Sequence, residues 1–232
     1  MHGPWGDLAL LQVAYREGSA GGPSATDEEF GITNRVWYKT LMADGHQSAT
    51  DPVYNDIMYA TTQEGGFHRV DLTTGEQVYI KPQPEEGDPY ERFNWDSPIL
   101  VSSHDPKRLY FGSQRVWRSD DRGDSWKPLS EDLTLNQERL SLPIMGRVQS
   151  WDSSWDLYAM STYNTITSLS ESPINENHLY AGTDDGLIHF TKDGGLKWTT
   201  QTSDKLNLPN SSFINDITYS YTHLTLPTSY LE

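Results

Sequence analysis

The sequence predicts an all-β fold of repeated four-stranded antiparallel units. Two stretches, Leu109 to Trp126 and Leu179 to Trp198, align with each other. Clusters of Gly, Pro, Ser and Thr recur between short apolar runs, the punctuation of many strands and tight turns. No segment sustains helical periodicity; only Arg147 to Tyr158 reads as a short helix.

Each aligned copy starts with Leu-Tyr, a small or aromatic residue and Gly. It passes a polar turn into an apolar strand and closes on [Ser/Thr]-x-Asp-x-Gly-x-x-Trp. A weaker copy, Ile57 to Ile80, keeps the hairpin, stretches the last turn and lacks the Trp. Upstream of each copy lies a partner strand: Asp44 to Pro52, Phe93 to Pro106 and Tyr163 to Pro173. Each ends in a polar residue and proline, a turn signal. The unit is therefore strand, turn, hairpin, Asp-containing turn, strand. Four-stranded units of roughly 40–50 residues are the blades of a β-propeller, which needs about four to eight to close. The chain holds about three, so it is expected to be a fragment whose partners include further blades of the same longer chain. Residues 1–30 match the repeat poorly, 31–91 form blade one and 92–134 blade two. Residues 135–210 form blade three with a long inter-blade loop, and 211–219 start a fourth. The tail 220–232 contains "SYTHLTLPTS", which resembles translated sequencing-adapter DNA, so it is expected not to be native.

The repeated closing turn holds Ser119, Asp121, Gly123 and Trp126, then Thr191, Asp193, Gly195 and Trp198. Its chemistry is structural. Asp and a hydroxyl accept backbone N–H bonds, Gly supplies positive φ, and Trp covers apolar surface. A calcium site through Asp120, Asp121 and Asp124 fails because the second copy keeps only Asp193. No metal or cofactor is implied.

Composition narrows the function. The chain of 232 residues carries a net charge of −16, which repels nucleic acid and anionic membranes. With no Cys, it has no disulfide framework, thiolate site or Cys nucleophile. No apolar run of about 18 residues exists to insert in a membrane, and the N-terminus does not read as a signal peptide. Aromatics at 12% argue against disorder.

The closing turn resembles the Asp-box. The strings at Gly31–Tyr38, Arg69–Glu76, Arg92–Ile99, Arg118–Thr134 and Ala181–Trp198 run in the order seen in bacterial sortilin-like Asp-box propellers, also called BNR-repeat proteins. That group is often loosely labelled glycosyl hydrolase. The resemblance covers roughly Gly31 to Ile217 and implies a secreted or periplasmic bacterial protein. It is specific for fold and weak for activity. Residues His46, Gln47 and Asp96 depart from the group's usual pattern.

In a propeller, ligands meet the channel mouth near the start of each innermost strand. Those starts are expected at Asp44–His46, Trp95–Asp96 and Tyr163–Asn164. A hydrolase of neutral glycans needs two facing carboxylates, and Asp44 and Asp96 are the candidates. His46, Trp95 and Tyr163 are candidate binding neighbours, with Trp151 and Trp155 as a second aromatic platform. The bland reading is that these residues cap strands and fill the channel with ordered polar contacts. Two functions follow: a module recognising protein, peptide or neutral glycan, or a glycoside hydrolase lobe.

Overall fold

The computed structural model describes residues 10–15, 18–23, 25–144, 146–150, 152–153, 162–219 and 224–225. Among them the regular structure is strands and short 3-10 turns. Strands β1 (Leu10–Tyr15), β2 (Gly18–Pro23) and β3 (Tyr38–Leu41) form a three-stranded antiparallel sheet. Strands β4 (Gly45–Thr50), β5 (Ile57–Thr62), β6 (Gly66–Asp71) and β7 (Gln77–Tyr79) make the first four-stranded sheet. The second comprises β8 (Ile99–Val101), β9 (Leu109–Gly112), β10 (Val116–Ser119) and β11 (Lys127–Pro128). Two short hairpin strands follow, β12 (Pro143–Ile144) and β13 (Arg147–Val148). The third sheet comprises β14 (Ile166–Glu171), β15 (Leu179–Thr183), β16 (Leu187–Thr191) and β17 (Thr199–Thr202). Strands β18 (Thr218–Tyr219) and β19 (Leu224–Thr225) pair beyond it.

All three four-stranded sheets are simple antiparallel meanders, each strand bonded to the next in sequence. The first strands of successive sheets, β4, β8 and β14, lie against one another. Between the sheets run separate apolar layers. Tyr59, Phe67, Ile80, Phe93, Leu109, Phe111 and Trp117 fill the first, and Tyr110, Val116, Leu133, Ile166, Leu179 and Ala181 the second. Leu109 and Phe111 enter one layer while Tyr110, between them, enters the other. That is the period-two consequence of a pleated strand buried on both faces. Each such side chain contributes about 1.5–3 kcal/mol of transfer free energy.

The turns after β4, β8 and β14 use one device. Asp51 Oδ1 accepts the amides of Val53 and Tyr54 at 2.9 and 3.0 Å. Ser102 Oγ does the same for His104 and Asp105, and Ser172 Oγ for Ile174 and Asn175. A short polar side chain replaces the missing backbone acceptor, which is why the sequence marks these turns.

Three expectations are corrected. Arg147–Val148, read as the start of a helix, is a strand, and most of the segment up to Tyr158 lies outside the described residues. Tyr38–Leu41, placed with blade one, pairs instead with β2. Trp95 and Asp96 do not start a strand: they occupy a turn, and β8 begins at Ile99. Tyr163 and Asn164 likewise precede β14.

Candidate functional site at the loop end

Each meander has two ends. At one lie the closing turns Ser119–Trp126 and Thr191–Trp198. At the other lie the turns 62–66, 113–115 and 184–186, with the approaches to β4, β8 and β14.

At the closing turns the polar groups are consumed locally. Ser119 Oγ accepts the amides of Asp121 and Gly123 at 3.2 and 2.8 Å and donates to Asp121 Oδ1 at 2.7 Å. Asp121 Oδ1 also accepts Ser125 N, and Oδ2 accepts Ser125 Oγ. The second copy repeats this: Thr191 Oγ1 accepts from Gly195 N and donates to Asp193 Oδ1, which takes Lys197 N. Gly123 and Gly195 stand at φ 89° and 96°, where a β-carbon is strained. A Cβ there would also collide with Ile80 or Leu129 of the preceding sheet. The tryptophans do more than cover apolar surface. Trp126 Nε1 donates to Ile80 O at 2.7 Å and Trp198 Nε1 to Leu129 O at 3.3 Å, stapling each sheet to the one before.

These bonds hold the carboxylates charged. Burial works against the charge of Asp121, but hydrogen bonds from Ser125 and Ser119 outweigh it and lower its pKa. Asp120 is opposed by burial and pulled down to about 2 by Arg118, Lys127 and Arg108. A carboxylate committed to its own turn has no freedom for proton transfer.

The loop end differs. Trp95 is 39% exposed, and its carbonyl accepts Glu64 N at 3.3 Å. His46, in β4, meets Trp95 edge-on with ring centroids 6.3 Å apart. His46 Nδ1 lies 3.7 Å from Asp96 Oδ1, with side chains 14% and 52% exposed. Its Nε2 is buried without a hydrogen-bond partner among the described residues. Burial raises the pKa of Asp96, and His46 partly offsets the shift. The structure thus brings His46, Trp95 and Asp96 together. Asp44 sits half-buried before β4 and is joined to Asp96 by no hydrogen bond or ion pair among the described residues. The ring of Tyr163 lies under the Arg139 guanidinium at 4.9 Å. Trp151 and Trp155 lie outside the described residues.

Beside this cluster lies a buried network that no sequence motif marks. Asn94, Thr165 and Asp184 are 8%, 0% and 5% exposed. Asn94 Nδ2 donates to Thr165 Oγ1 at 2.9 Å, and Thr165 Oγ1 donates to Asp184 Oδ2 at 2.7 Å. Asp184 Oδ1 accepts Thr165 N at 2.9 Å. Asp185 accepts Thr183 Oγ1 and, at 2.7 Å, Leu135 N. Burial pushes Asp184 up to about 6, against its hydrogen bonds from Thr165, with the Asp185 charge adding to the rise. Asp185 is raised too, chiefly by burial. The signal was present as two adjacent acids between apolar strands, but Asp-Asp-Gly reads equally well as a surface turn.

No family model and no curated protein matches the sequence. Among solved structures, the fold is similar to the extracellular domain of a protein from B. thetaiotaomicron described as a one-component system. The TM-score is 0.57 at 15% identity, over 96% of this chain and 25% of that chain. This chain therefore spans about a quarter of the length of that structure.

Proposed function

We propose that the chain is a three-blade portion of an exported Asp-box β-propeller whose loop end is a recognition surface for a protein, peptide or neutral glycan. The single observation that carries the binding reading is the Trp95–Asp96–His46 cluster. It offers a half-exposed indole face beside a partly free carboxylate and a buried imidazole nitrogen. Such a mix of apolar face and few polar groups is what small ligands and peptide side chains use. Support for the propeller comes from three successive meanders whose first strands adjoin, and from the repeated hydroxyl–Asp–Gly–Trp turn. The extracellular neighbour supports export.

The test is binding of the 232-residue chain to panels of neutral glycans and peptides, with Trp95→Ala alongside. Loss of a stacked indole is expected to weaken binding roughly tenfold or more. No binding by the folded chain to either panel would sink the reading.

The alternative is a glycoside hydrolase lobe with Asp44 and Asp96 as its acid and base. The raised pKa of Asp96 favours it, since a general acid must hold its proton. It predicts turnover on neutral polysaccharide that Asp96→Asn abolishes, whereas the recognition reading predicts changed affinity and no turnover.

A further inference from the structure

The turn that presents Trp95 and Asp96 is built on Asn94. Asn94 Oδ1 accepts Asp96 N at 3.0 Å, and Asn94 O accepts Ser97 Oγ at 3.1 Å. The other end of the same carboxamide, Nδ2, donates to Thr165 Oγ1, whose own proton goes to Asp184. One continuous hydrogen-bond chain therefore runs from the 184–186 turn of the third sheet to the exposed turn ahead of the second.

We propose that Asp184 is a positioning residue for the Trp95–Asp96 turn, acting through Thr165 and Asn94, and that its protonation state sets how that turn is held. The direction of every bond follows from the donors. As a carboxylate, Asp184 can only accept, so the Thr165 hydroxyl must point its proton at Oδ2 and keep its lone pairs for Asn94. Protonated Asp184 must place a hydrogen on one oxygen. Oδ1 faces an amide N–H, which cannot turn; Oδ2 faces a hydroxyl, which can. The proton therefore goes to Oδ2, and Thr165 becomes its acceptor. Thr165 Oγ1 then accepts from two sides and must find a new partner for its own hydrogen. The Asn94 bond weakens, because it loses the polarisation that a charged neighbour supplied. Asn94 is the only link in that chain to the Trp95–Asp96 turn. Asp184 is pushed up to about 6, so the switch falls near neutral pH.

Other titratable groups face these elements. Asp185, Tyr163 and the Asn164 backbone face Asp184, and Asp132 and Leu135 N face Asp185. Arg139 covers Tyr163, and Arg92 binds Asn164 O. On the far side, Asp96 faces His46. His46 and Asp96 are the ionisable groups that lie directly against Trp95, so the relay must be told apart from them.

This inference rests on the recognition reading only for its consequence in binding; the relay is tested without a ligand. Fluorotryptophan is incorporated into the full chain, and the Trp95 fluorine resonance, assigned through Trp95→Phe, is followed from about pH 8 to about pH 4.5. A stepwise shift with its midpoint near 6 is expected. It should vanish in Asp184→Asn and persist in His46→Gln. Should Asp184→Asn fail to fold, Asn94→Ala, which cuts the relay at its other end, must also remove the step. A step that survives Asp184→Asn or Asn94→Ala, a step lost in His46→Gln, or no step in the unaltered chain overturns the proposal. If the relay step appears but no ligand binds at any pH, the recognition reading fails and the relay stands. If a ligand binds and the recognition reading holds, its affinity is expected to follow the same step and to lose that pH dependence in Asp184→Asn.

Discussion

The two ends of the sheets carry carboxylates under opposite regimes. At the closing-turn end, Asp51, Asp120, Asp121 and Asp193 are held below the ordinary carboxylate range. At the loop end, Asp96, Asp184 and Asp185 are held above it. Burial opposes the charge at both ends, so burial alone does not separate them. The difference lies in what answers it. Asp51 is buried yet meets Arg122 Nε at 2.6 Å, two backbone amides and the Tyr59 hydroxyl. Asp120 meets three cations. Asp184 meets the Thr165 hydroxyl and the Thr165 and Asn164 backbones but no cation, with a second carboxyl beside it in the chain. Aspartates that are fully answered serve structure. Those only partly answered are held above the ordinary carboxylate range, Asp184 up to about 6, and that is where chemistry or sensing becomes available.

The largest expected effect tests the claim that the closing turns serve stability. Trp126→Ala removes an indole packed on Phe67 and Phe111 and its bond to Ile80 O. A loss of about 3 kcal/mol in urea unfolding is expected. A loss under about 1 kcal/mol would break the comparison by making that end dispensable. Next comes Ser119→Ala, which strips two amides of their buried acceptor. It should cost about 2 kcal/mol in the same assay.

The third test separates the ends by sign. Asp184 has a folded pKa above its unfolded value, so its contribution is fully present below about pH 4 and is lost as pH rises through about 6. Asp120 has a depressed folded pKa; its contribution is present above about pH 4 and lost as pH falls toward about 2. Chemical unfolding across pH should therefore show Asp184→Asn gaining about 1–2 kcal/mol on the parent at pH 7.5 and nothing at about pH 4. Asp120 is more than a third exposed, so Asp120→Asn should cost well under about 1 kcal/mol at neutral pH. The two profiles diverging in opposite directions sharpens the comparison, and parallel profiles would end it. The smallest effect is Asp96→Asn. With half the side chain in solvent and a partner at 3.7 Å, it should move stability by less than about 0.5 kcal/mol while changing any ligand affinity.

Much of the architecture is legible in sequence because its signals are local. The hydroxyl, Asp, Gly and Trp of each closing turn lie within eight consecutive residues, and the bonds of the hydroxyl and the Asp are short-range. The Asp-Pro and Ser-Pro turns are marked in the same way. The site was less legible. His46, Trp95 and Asp96 were chosen by repeat register, and they do meet in space, though from a turn ahead of β8 rather than from its start. The three-stranded sheet at 10–41 left no repeat signature: its second strand, Gly-Ser-Ala-Gly-Gly-Pro, is built of small residues where the four-stranded sheets carry branched and aromatic ones.

By itself the sequence determined the strands of the three repeated meanders, their turn chemistry and the repeat, since each follows from side chains a few positions apart competing for the same backbone groups. Only the tertiary structure decided which aspartates would be answered. Asn94 and Thr165 are 71 residues apart, Thr165 and Asp184 19 apart, and Asp51 and Arg122 71 apart. A carboxylate's charge depends on the cations, amides and apolar surface that packing brings to it. Asp120 and Asp184, one residue type in two copies of the repeat, therefore settle near 2 and near 6.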